Sequence, residues 1–224
     1  MKKTIILALA LAAPAMAGDA KSAPITVVDV PPVVAPTPSP WALEIAGVHT
    51  WTMADANDGM HNINTWGVDV TAVYNMTPNW AATLRFSWAD GSGRVFGDYG
   101  AEKFYNKLDI TNWSVTAGVR YTAPITEKLS WFAGANAGWG RTEMTSKSYE
   151  DYGDQGGYSY KAEADDVGFV YSVETGLKYD ICESLYVIGS VGFRGYWTTP
   201  NWDGGYRDDQ QTGVSVSAGL GWEF

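Results

Sequence analysis

Histidine, cysteine and closely spaced carboxylates most often perform catalysis or bind metals, and this chain has few of them in suitable patterns. It contains two histidines, His49 and His61, and one cysteine, Cys182. Neither histidine stands in a His-x-Ser pairing, so a hydrolase would lack its general base. One cysteine excludes an intramolecular disulfide framework and a cysteine-rich zinc module. The sequence therefore predicts no enzyme activity, no cofactor and no metal site.

The acidic residues outnumber the basic ones, 25 against 15, which gives a formal net charge of −10. Such a balance disfavours nucleic acid as a partner, because polyanions bind basic surfaces. The acidic pairs Asp55/Asp58 and Asp151/Asp154 do not complete the ligand pattern of a calcium loop. The composition that needs explaining is instead the abundance of tryptophan and glycine, with 11 and 25 residues.

Alternation of apolar and polar residues with a period of two runs from Trp41 to Phe224. Between Trp80 and Trp88, for example, Trp, Ala, Leu, Phe and Trp alternate with Ala, Thr, Arg and Ser. Strict alternation of this kind is typical of strands with two different faces. It predicts an all-β fold of eight strands, at about 41–53, 66–75, 80–88, 113–121, 129–141, 167–179, 185–197 and 214–224.

The connections between the predicted strands alternate in length. Short turns are predicted at Thr77–Asn79, Ala123–Lys128 and Asp180–Ser184, whereas longer polar loops are predicted near 54–63, 89–107, 142–166 and 198–211. Short turns at one end and long loops at the other are typical of an up-and-down outer-membrane β-barrel. An even strand number places both termini at the short-turn end, which is periplasmic in such barrels.

Aromatic residues recur at the same parity as the apolar face, often eight residues apart, as with Trp80 and Trp88. Eight residues of tilted strand rise roughly 20 Å, close to the height of the apolar band of such barrels. We therefore predict two interfacial aromatic belts. The periplasmic belt comprises Trp41, Tyr74, Trp80, Tyr121, Trp131, Tyr179 and Trp222, and the outer belt comprises Trp51, Trp66, Trp88, Trp113, Trp139, Tyr171 and Trp197.

The opposite face of the predicted strands is rich in Gly, Ser, Ala and Thr and carries isolated charges. Its acids are Glu44, Asp69, Glu174 and Glu223, and its bases are Arg85, Arg120, Lys178 and Arg194. Charges in a narrow lumen must be paired or hydrated, so four acids with four bases predict an internal salt-bridge network. The alternative is a secreted soluble barrel with its apolar face inside, but its solvated face should then be rich in Lys, Glu and Thr.

The N-terminal segment has the features of an export signal. Lys2 and Lys3 precede an apolar run from Ile5 to Ala13 and a small-x-small site at Ala15–Ala17. This pattern predicts a signal peptide at residues 1–17, with an N-terminal membrane anchor as the alternative. Residues 18–40 contain six prolines, which predicts a disordered periplasmic linker that samples extended conformations before a barrel at 41–224.

The signal sequence, the Trp-rich alternating strands, the rhythm of short turns and long loops, and the terminal Leu220–Phe224 resemble small eight-stranded outer-membrane barrels. These are the OmpA transmembrane domain, OmpX and opacity-type adhesin families. The resemblance implies a Gram-negative outer membrane, contact with its lipid and lipopolysaccharide, and assembly by the barrel-assembly machinery, which reads a terminal aromatic residue, here Phe224. It is an architectural resemblance, so fold alone does not select a function.

Three functional classes follow from this resemblance. The first is a structural or adhesin-like surface protein whose acidic loop at 142–166 contacts a surface ligand, because that loop also carries adaptable tyrosines: Tyr149, Tyr152, Tyr158 and Tyr160. The second is a narrow passive pore for small ions or solutes. The third is an outer-membrane enzyme, which the two poorly placed histidines disfavour. The sequence favours the first class.

We expect deletion of Phe224 to lower the amount of folded protein in the outer membrane without lowering export, because the resemblance makes this residue an assembly signal. Fractionation followed by heat-modifiability on gels measures both quantities. Replacement by Tyr or Trp, which retains a terminal aromatic residue, is the matched control. Unchanged outer-membrane levels after the deletion would contradict the expectation.

Overall fold

A computed structural model of the chain describes residues 40–53, 63–98, 103–151, 157–198, 201–202, 205–206 and 209–224. The predicted signal peptide and residues 18–39 of the predicted linker lie outside this part. The strands are β1 Trp41–Met53, β2 Ile63–Asn75, β3 Trp80–Asp98, β4 Lys103–Pro124, β5 Leu129–Asp151, β6 Gly157–Cys182, β7 Leu185–Thr198, β8 Asn201–Trp202, β9 Gly205–Tyr206 and β10 Asp209–Glu223.

Eight of the described strands close into one antiparallel barrel in the order β1-β10-β7-β6-β5-β4-β3-β2. The first and last strands pair along their whole length, from Ala42 opposite Glu223 to Met53 opposite Thr212. Closure gives each of these eight strands two neighbours within the barrel wall, which satisfies the backbone hydrogen bonds there without a free edge. β8 and β9 form a separate two-stranded hairpin. The predicted eight-stranded all-β barrel is confirmed.

The two faces of the barrel wall have opposite chemistry. Inward-facing side chains are small, polar or charged and are mostly buried, whereas outward-facing apolar side chains such as Leu84, Val119 and Val173 are about half exposed. A soluble protein places its apolar face inside, so this inversion suits a barrel surrounded by hydrocarbon. The soluble alternative is wrong. No helix in the described residues is long and apolar enough to cross a membrane.

Three tight connections lie at one end of the barrel, called here the short-turn end, at residues 76–79, 125–128 and 183–184. In the first two, the hydroxyl of Thr77 or Thr126 accepts hydrogen bonds from the backbone amides two and three residues later, at 3.0–3.3 Å. These local bonds satisfy amides that the turn leaves without a ladder partner. Both Trp41 and Phe224 lie at this end.

At the opposite end, called here the long-hairpin end, the prediction of long loops at 89–107 and 142–166 is wrong for most of these residues. β3 and β4 remain paired up to Asp98 and Lys103, and β5 and β6 up to Asp151 and Gly157. The alternation continues along these extensions, but charged residues such as Asp109, Glu143 and Lys147 now occupy outward positions, and the apolar Leu108, Ile110 and Met144 occupy inward ones. The polar composition of the hairpin extensions is typical of a loop, although their alternation with a period of two is intact.

A buried apolar cluster fills the inside of the barrel near the long-hairpin end. It consists of Ile63, Leu108, Ile110 and Met144, each at most 6% exposed. These residues come from β2, β4 and β5, so the cluster joins the base of the hairpin extensions to the barrel wall. Burial of these side chains away from water stabilises the extensions as sheet.

We expect Ile110→Ala to destabilise the hairpin extensions by about 2–5 kcal/mol, because Ile110 is 1% exposed and truncation leaves a cavity. Backbone hydrogen exchange should accelerate within residues 142–151, which pair with β4. Thr145→Ala, on the outward face of the same extension, is the control and should change exchange little. Equal protection in both variants would show that the cluster does not hold the extensions.

Candidate functional site

The eight charged residues predicted for the lumen all lie on the inward face of the barrel, on seven different strands. Glu44, Asp69, Arg85, Arg120 and Arg194 are 4–8% exposed. The Glu174 side chain is 8% exposed, whereas Lys178 and Glu223 are 23% and 20% exposed. The strong burial of the first six follows from the small radius of an eight-stranded barrel, whose interior is filled by side chains.

The first ion pair joins Glu44 on β1 to Arg120 on β4. Arg120 Nη2 donates to Glu44 Oε2 at 2.8 Å, and Nη1 donates to Oε1. The hydroxyl of Tyr186 donates a further hydrogen bond to Glu44 Oε1 at 2.8 Å. On its other side the Arg120 guanidinium lies 4.8 Å from the ring centre of Phe132. The bidentate geometry and the ring together fix the planar guanidinium.

The second group of charges joins β2, β3, β6 and β7. Arg194 donates two hydrogen bonds to Asp69, one of them at 3.1 Å, and Arg85 donates to Glu174. Arg85 Nε also lies 3.9 Å from Asp69 Oδ2, and Arg120 Nη2 lies 3.8 Å from Glu174 Oε1. The last contact connects this group to the first pair, so acids and bases alternate in one continuous network.

Lys178 and Glu223 form a more accessible pair at the short-turn end, where Lys178 Nζ donates to Glu223 Oε1 at 2.5 Å. Lys178 Nζ also lies 3.3 Å from Asp180 and 4.2 Å from the ring centre of Tyr186. Tyr186 therefore stands between this outer pair and the buried Glu44–Arg120 pair. Beside it, Lys178, Glu223 and Asn79 help to line a cavity of about 100 Å³.

The aromatic members of this network were missed by sequence reasoning. Tyr186 and Phe132 have the inward parity, which is the signal that could have identified them. Each ring lies over a glycine of the neighbouring strand: a Cβ on Gly221 would come within 2.1 Å of the Tyr186 ring, and one on Gly176 within 2.7 Å of Phe132. These two glycines therefore provide the space in which the rings contact the ion pairs.

Some buried polar atoms of the lumen have no hydrogen-bond partner in the described part of the protein. They include Arg85 Nη1 and Arg120 Nε in the ion-pair network, and Asn112 Oδ1 and Thr142 Oγ1 towards the long-hairpin end. Buried groups of this kind are usually satisfied by water. The lumen thus contains closely spaced ion pairs and a few polar atoms that are available to bind water.

His49 and Cys182 do not contact the charged residues of the lumen. His49 is directed outward but is buried between the rings of Trp51 and Trp66, at centroid distances of 4.2 and 3.9 Å. His61 lies outside the described residues, and Cys182 is exposed at the short-turn end of β6. Among the described residues, no group of three or more His, Cys, Asp and Glu is placed to hold a metal ion.

The predicted belt aromatics lie on the outward face of the barrel. Most are between 37% and 69% exposed, and Tyr121, Trp131 and Tyr171 are partly covered by neighbouring strands. Contacts run along the short-turn end, where the ring centres of Trp80 and Tyr121 are 5.1 Å apart and those of Tyr121 and Trp131 are 6.4 Å apart. Trp131 Nε1 donates to the Thr175 hydroxyl at 2.8 Å.

The tyrosines predicted to form a contact surface at 142–166 are only partly described. Tyr149 lies on the outward face of β5 and is 48% exposed. Tyr158 and Tyr160 belong to β6, and Tyr152 lies outside the described residues. This segment is therefore mainly a paired hairpin rather than an adaptable loop.

A closed barrel with an apolar outer face, aromatic residues near both ends and a charged interior defines a membrane-spanning β-barrel. The chain belongs to the outer membrane protein beta-barrel domain family, whose model matches residues 4–224. Its membrane is thus an outer membrane, and the predicted family resemblance is confirmed. Comparison with curated proteins gives no significant match.

Several solved outer-membrane proteins have a similar structure. Ail, the attachment invasion locus protein of Yersinia pestis, is 15% identical, with 84% of this chain and 100% of that chain covered at a TM-score of 0.47. Neisserial surface protein A is 14% identical, with 84% and 99% covered at 0.46. OprG from Pseudomonas aeruginosa is 15% identical, with 84% and 96% covered at 0.49. At these identities, no function transfers to this chain.

We expect Arg120→Ala to lower the free energy of unfolding by about 3–5 kcal/mol, because it leaves the buried Glu44 carboxylate without its bidentate partner. Urea titration in lipid vesicles, followed by tryptophan fluorescence, measures the change. The double variant Glu44→Gln/Arg120→Met, which leaves no unpaired charge, should lose less stability. Val216→Ala on the outward face is the second control, and a loss as large there would contradict the assignment.

Proposed function

We propose that the protein is a non-enzymatic outer-membrane barrel with a closed lumen, whose long hairpins form a surface for interactions outside the cell. The observation that carries this proposal is the continuous ion-pair network across the lumen. Its pairs join strands that are not neighbours, β1 with β4, β2 with β7 and β3 with β6. A permeating ion would have to separate buried charges whose hydration is restricted, which opposes steady conduction.

The apolar cluster adds a second obstruction in the same lumen. Ile63, Leu108, Ile110 and Met144 fill the interior between the ion-pair network and the long hairpins. Apolar constrictions oppose the passage of hydrated ions because they offer no polar groups to replace water. A charged network and an apolar layer in series therefore favour a structural and surface-interaction role over transport.

A narrow pore is the second candidate function, and a specific observation favours it. Arg85 and Arg120 each keep a donor without a partner among the described residues, and a cavity of about 100 Å³ lies at the short-turn end. Water at these positions would provide part of a path through the barrel. The two candidates therefore differ in whether the ion-pair network stays closed.

Planar-bilayer recording decides between them. We expect the wild-type barrel to show no steady conductance and Glu174→Ala to produce transient openings, because this change removes a carboxylate that pairs with Arg85 and lies near Arg120. Val216→Ala is the control with an intact lumen and should behave as wild type. A large, steady wild-type conductance would establish the pore and contradict the closed barrel.

We infer that the short-turn end faces the periplasm and that both barrel termini lie there. The support is the position of Trp41 and Phe224 at this end, together with the short turns that such barrels have in the periplasm. Phe224 is 76% exposed there, which suits its proposed recognition by the barrel-assembly machinery. The long hairpins then extend outside the cell among lipopolysaccharide molecules.

The native thiol provides a test of this orientation. Cys182 is a free thiol exposed at the short-turn end, so a thiol reagent present at that side can reach it. A membrane-impermeant polymer maleimide should therefore label it only after the outer membrane is permeabilised. In a Cys182→Ser background, Ser159→Cys in the long hairpin should be labelled on intact cells. The reverse pattern would invert the orientation.

A further inference from the structure

Three lysines stand side by side across three strands of the long hairpins. The register places Lys107 of β4 opposite Lys147 of β5, and Lys147 opposite Lys161 of β6. All three have the outward parity of their strands. We call Lys107, Lys147 and Lys161 the basic row; at the usual strand spacing it is about 10 Å long.

This arrangement is unfavourable for the sheet itself. Like charges directly opposite one another on adjacent strands destabilise the pairing, and here two such juxtapositions follow in sequence. Partial compensation comes from the next outward positions towards the barrel. Lys107 Nζ lies 2.8 Å from Asp109 Oδ1, Lys147 Nζ lies 4.0 Å from Asp109 Oδ2, and Lys161 pairs with Glu163. Three lysines thus share two carboxylates.

The lysine side chains remain available for other contacts. Those of Lys107, Lys147 and Lys161 are 35%, 56% and 56% exposed. Each ammonium group has three donors, so the described carboxylate contacts leave donors that can bind a further anion. The carboxylates also restrain the lysines, which reduces the entropy lost when an anion is bound.

The position of the basic row selects the kind of anion. Each member lies six residues beyond the row formed by Trp113, Arg141 and Val167, which stand opposite one another at the outer aromatic level. Six residues of tilted strand correspond to a height of roughly 15 Å above that level. The basic row also shares the face of the lipid-contacting side chains, so it points sideways along the membrane rather than into solution.

We propose that the basic row binds the phosphate and carboxylate groups of the core saccharide of neighbouring lipopolysaccharide. This inference rests on the proposed orientation, in which the long hairpins are extracellular. At this height and direction, the neighbours of the barrel are the core sugars rather than the lipid A phosphates, which lie closer to the hydrocarbon. Three cations in line match an anionic saccharide that runs across the strands.

The test compares the purified mature protein with the variant Lys107→Gln/Lys147→Gln/Lys161→Gln in detergent, with a chelator present to remove bridging divalent cations. The probes are lipopolysaccharide with a phosphorylated core, lipid A without core sugars, and soluble heparin as a free polyanion. We expect the triple variant to bind the core-containing lipopolysaccharide about tenfold or more weakly, because several charge-assisted contacts are lost together. Lipid A should bind both proteins equally.

Lys128→Gln is the matched control, since Lys128 is exposed at the short-turn end and should not affect binding. Because the triple variant removes like-charge repulsion, its unfolding transition should stay unchanged or rise, which separates lost binding from lost folding. Equal binding of core-containing lipopolysaccharide by wild type and triple variant would overturn the proposal. Equally tight binding of heparin by the wild type would assign the row to a free polyanion instead. Since the assay is independent of orientation, failure of the thiol-labelling test remains distinguishable.

Discussion

Charges enclosed by a narrow barrel must find partners across the lumen, and this requirement organises the interior of the molecule. Glu44 and Arg120 belong to β1 and β4, and Asp69 and Arg194 to β2 and β7, so each pair joins walls that share no backbone hydrogen bonds. The backbone ladder alone holds only neighbouring strands together. Cross-lumen ion pairs add connections between distant strands, and replacing either partner alone leaves a buried charge. The same groups that stabilise the cross-section therefore occupy the path that a solute would take.

A period of two persists along the strands while the surroundings of each face change. On β4, Val115 and Val119 point outward in the apolar zone, whereas Lys107 and Asp109 point outward in the hairpin extension. The inward side changes in the opposite sense, from charged Arg120 to the apolar cluster. Backbone geometry determines which side chains share a face, and the local solvent determines which chemistry that face requires.

Backbone geometry sets the face of a side chain and the local solvent sets the chemistry of that face, and this difference explains which features the sequence could predict. Strand number, the inward parity of Glu44 and Arg120, and the outward parity of the tryptophans all follow from alternation alone. The pairing of particular charges does not, because it depends on how far the strands are staggered around the barrel. The predicted length of the hairpins was wrong because Lys147 and Glu143 were interpreted as polar loop residues. They instead occupy outward positions of a strand that continues beyond the apolar zone. Tyr186 was overlooked for a similar reason, since its role depends on Gly221 of the neighbouring strand.

Continuation of the barrel strands beyond the aromatic level has a consequence for recognition. A flexible loop must lose conformational freedom when it binds, whereas side chains on a paired sheet already have fixed spacing. Lys147 stands opposite both Lys107 and Lys161, and that spacing persists only because β4, β5 and β6 remain hydrogen-bonded. The apolar cluster inside the extension keeps them so, by burying Ile110 and Met144. The interior of the barrel and the charge pattern on its outer surface are therefore linked through the same strands.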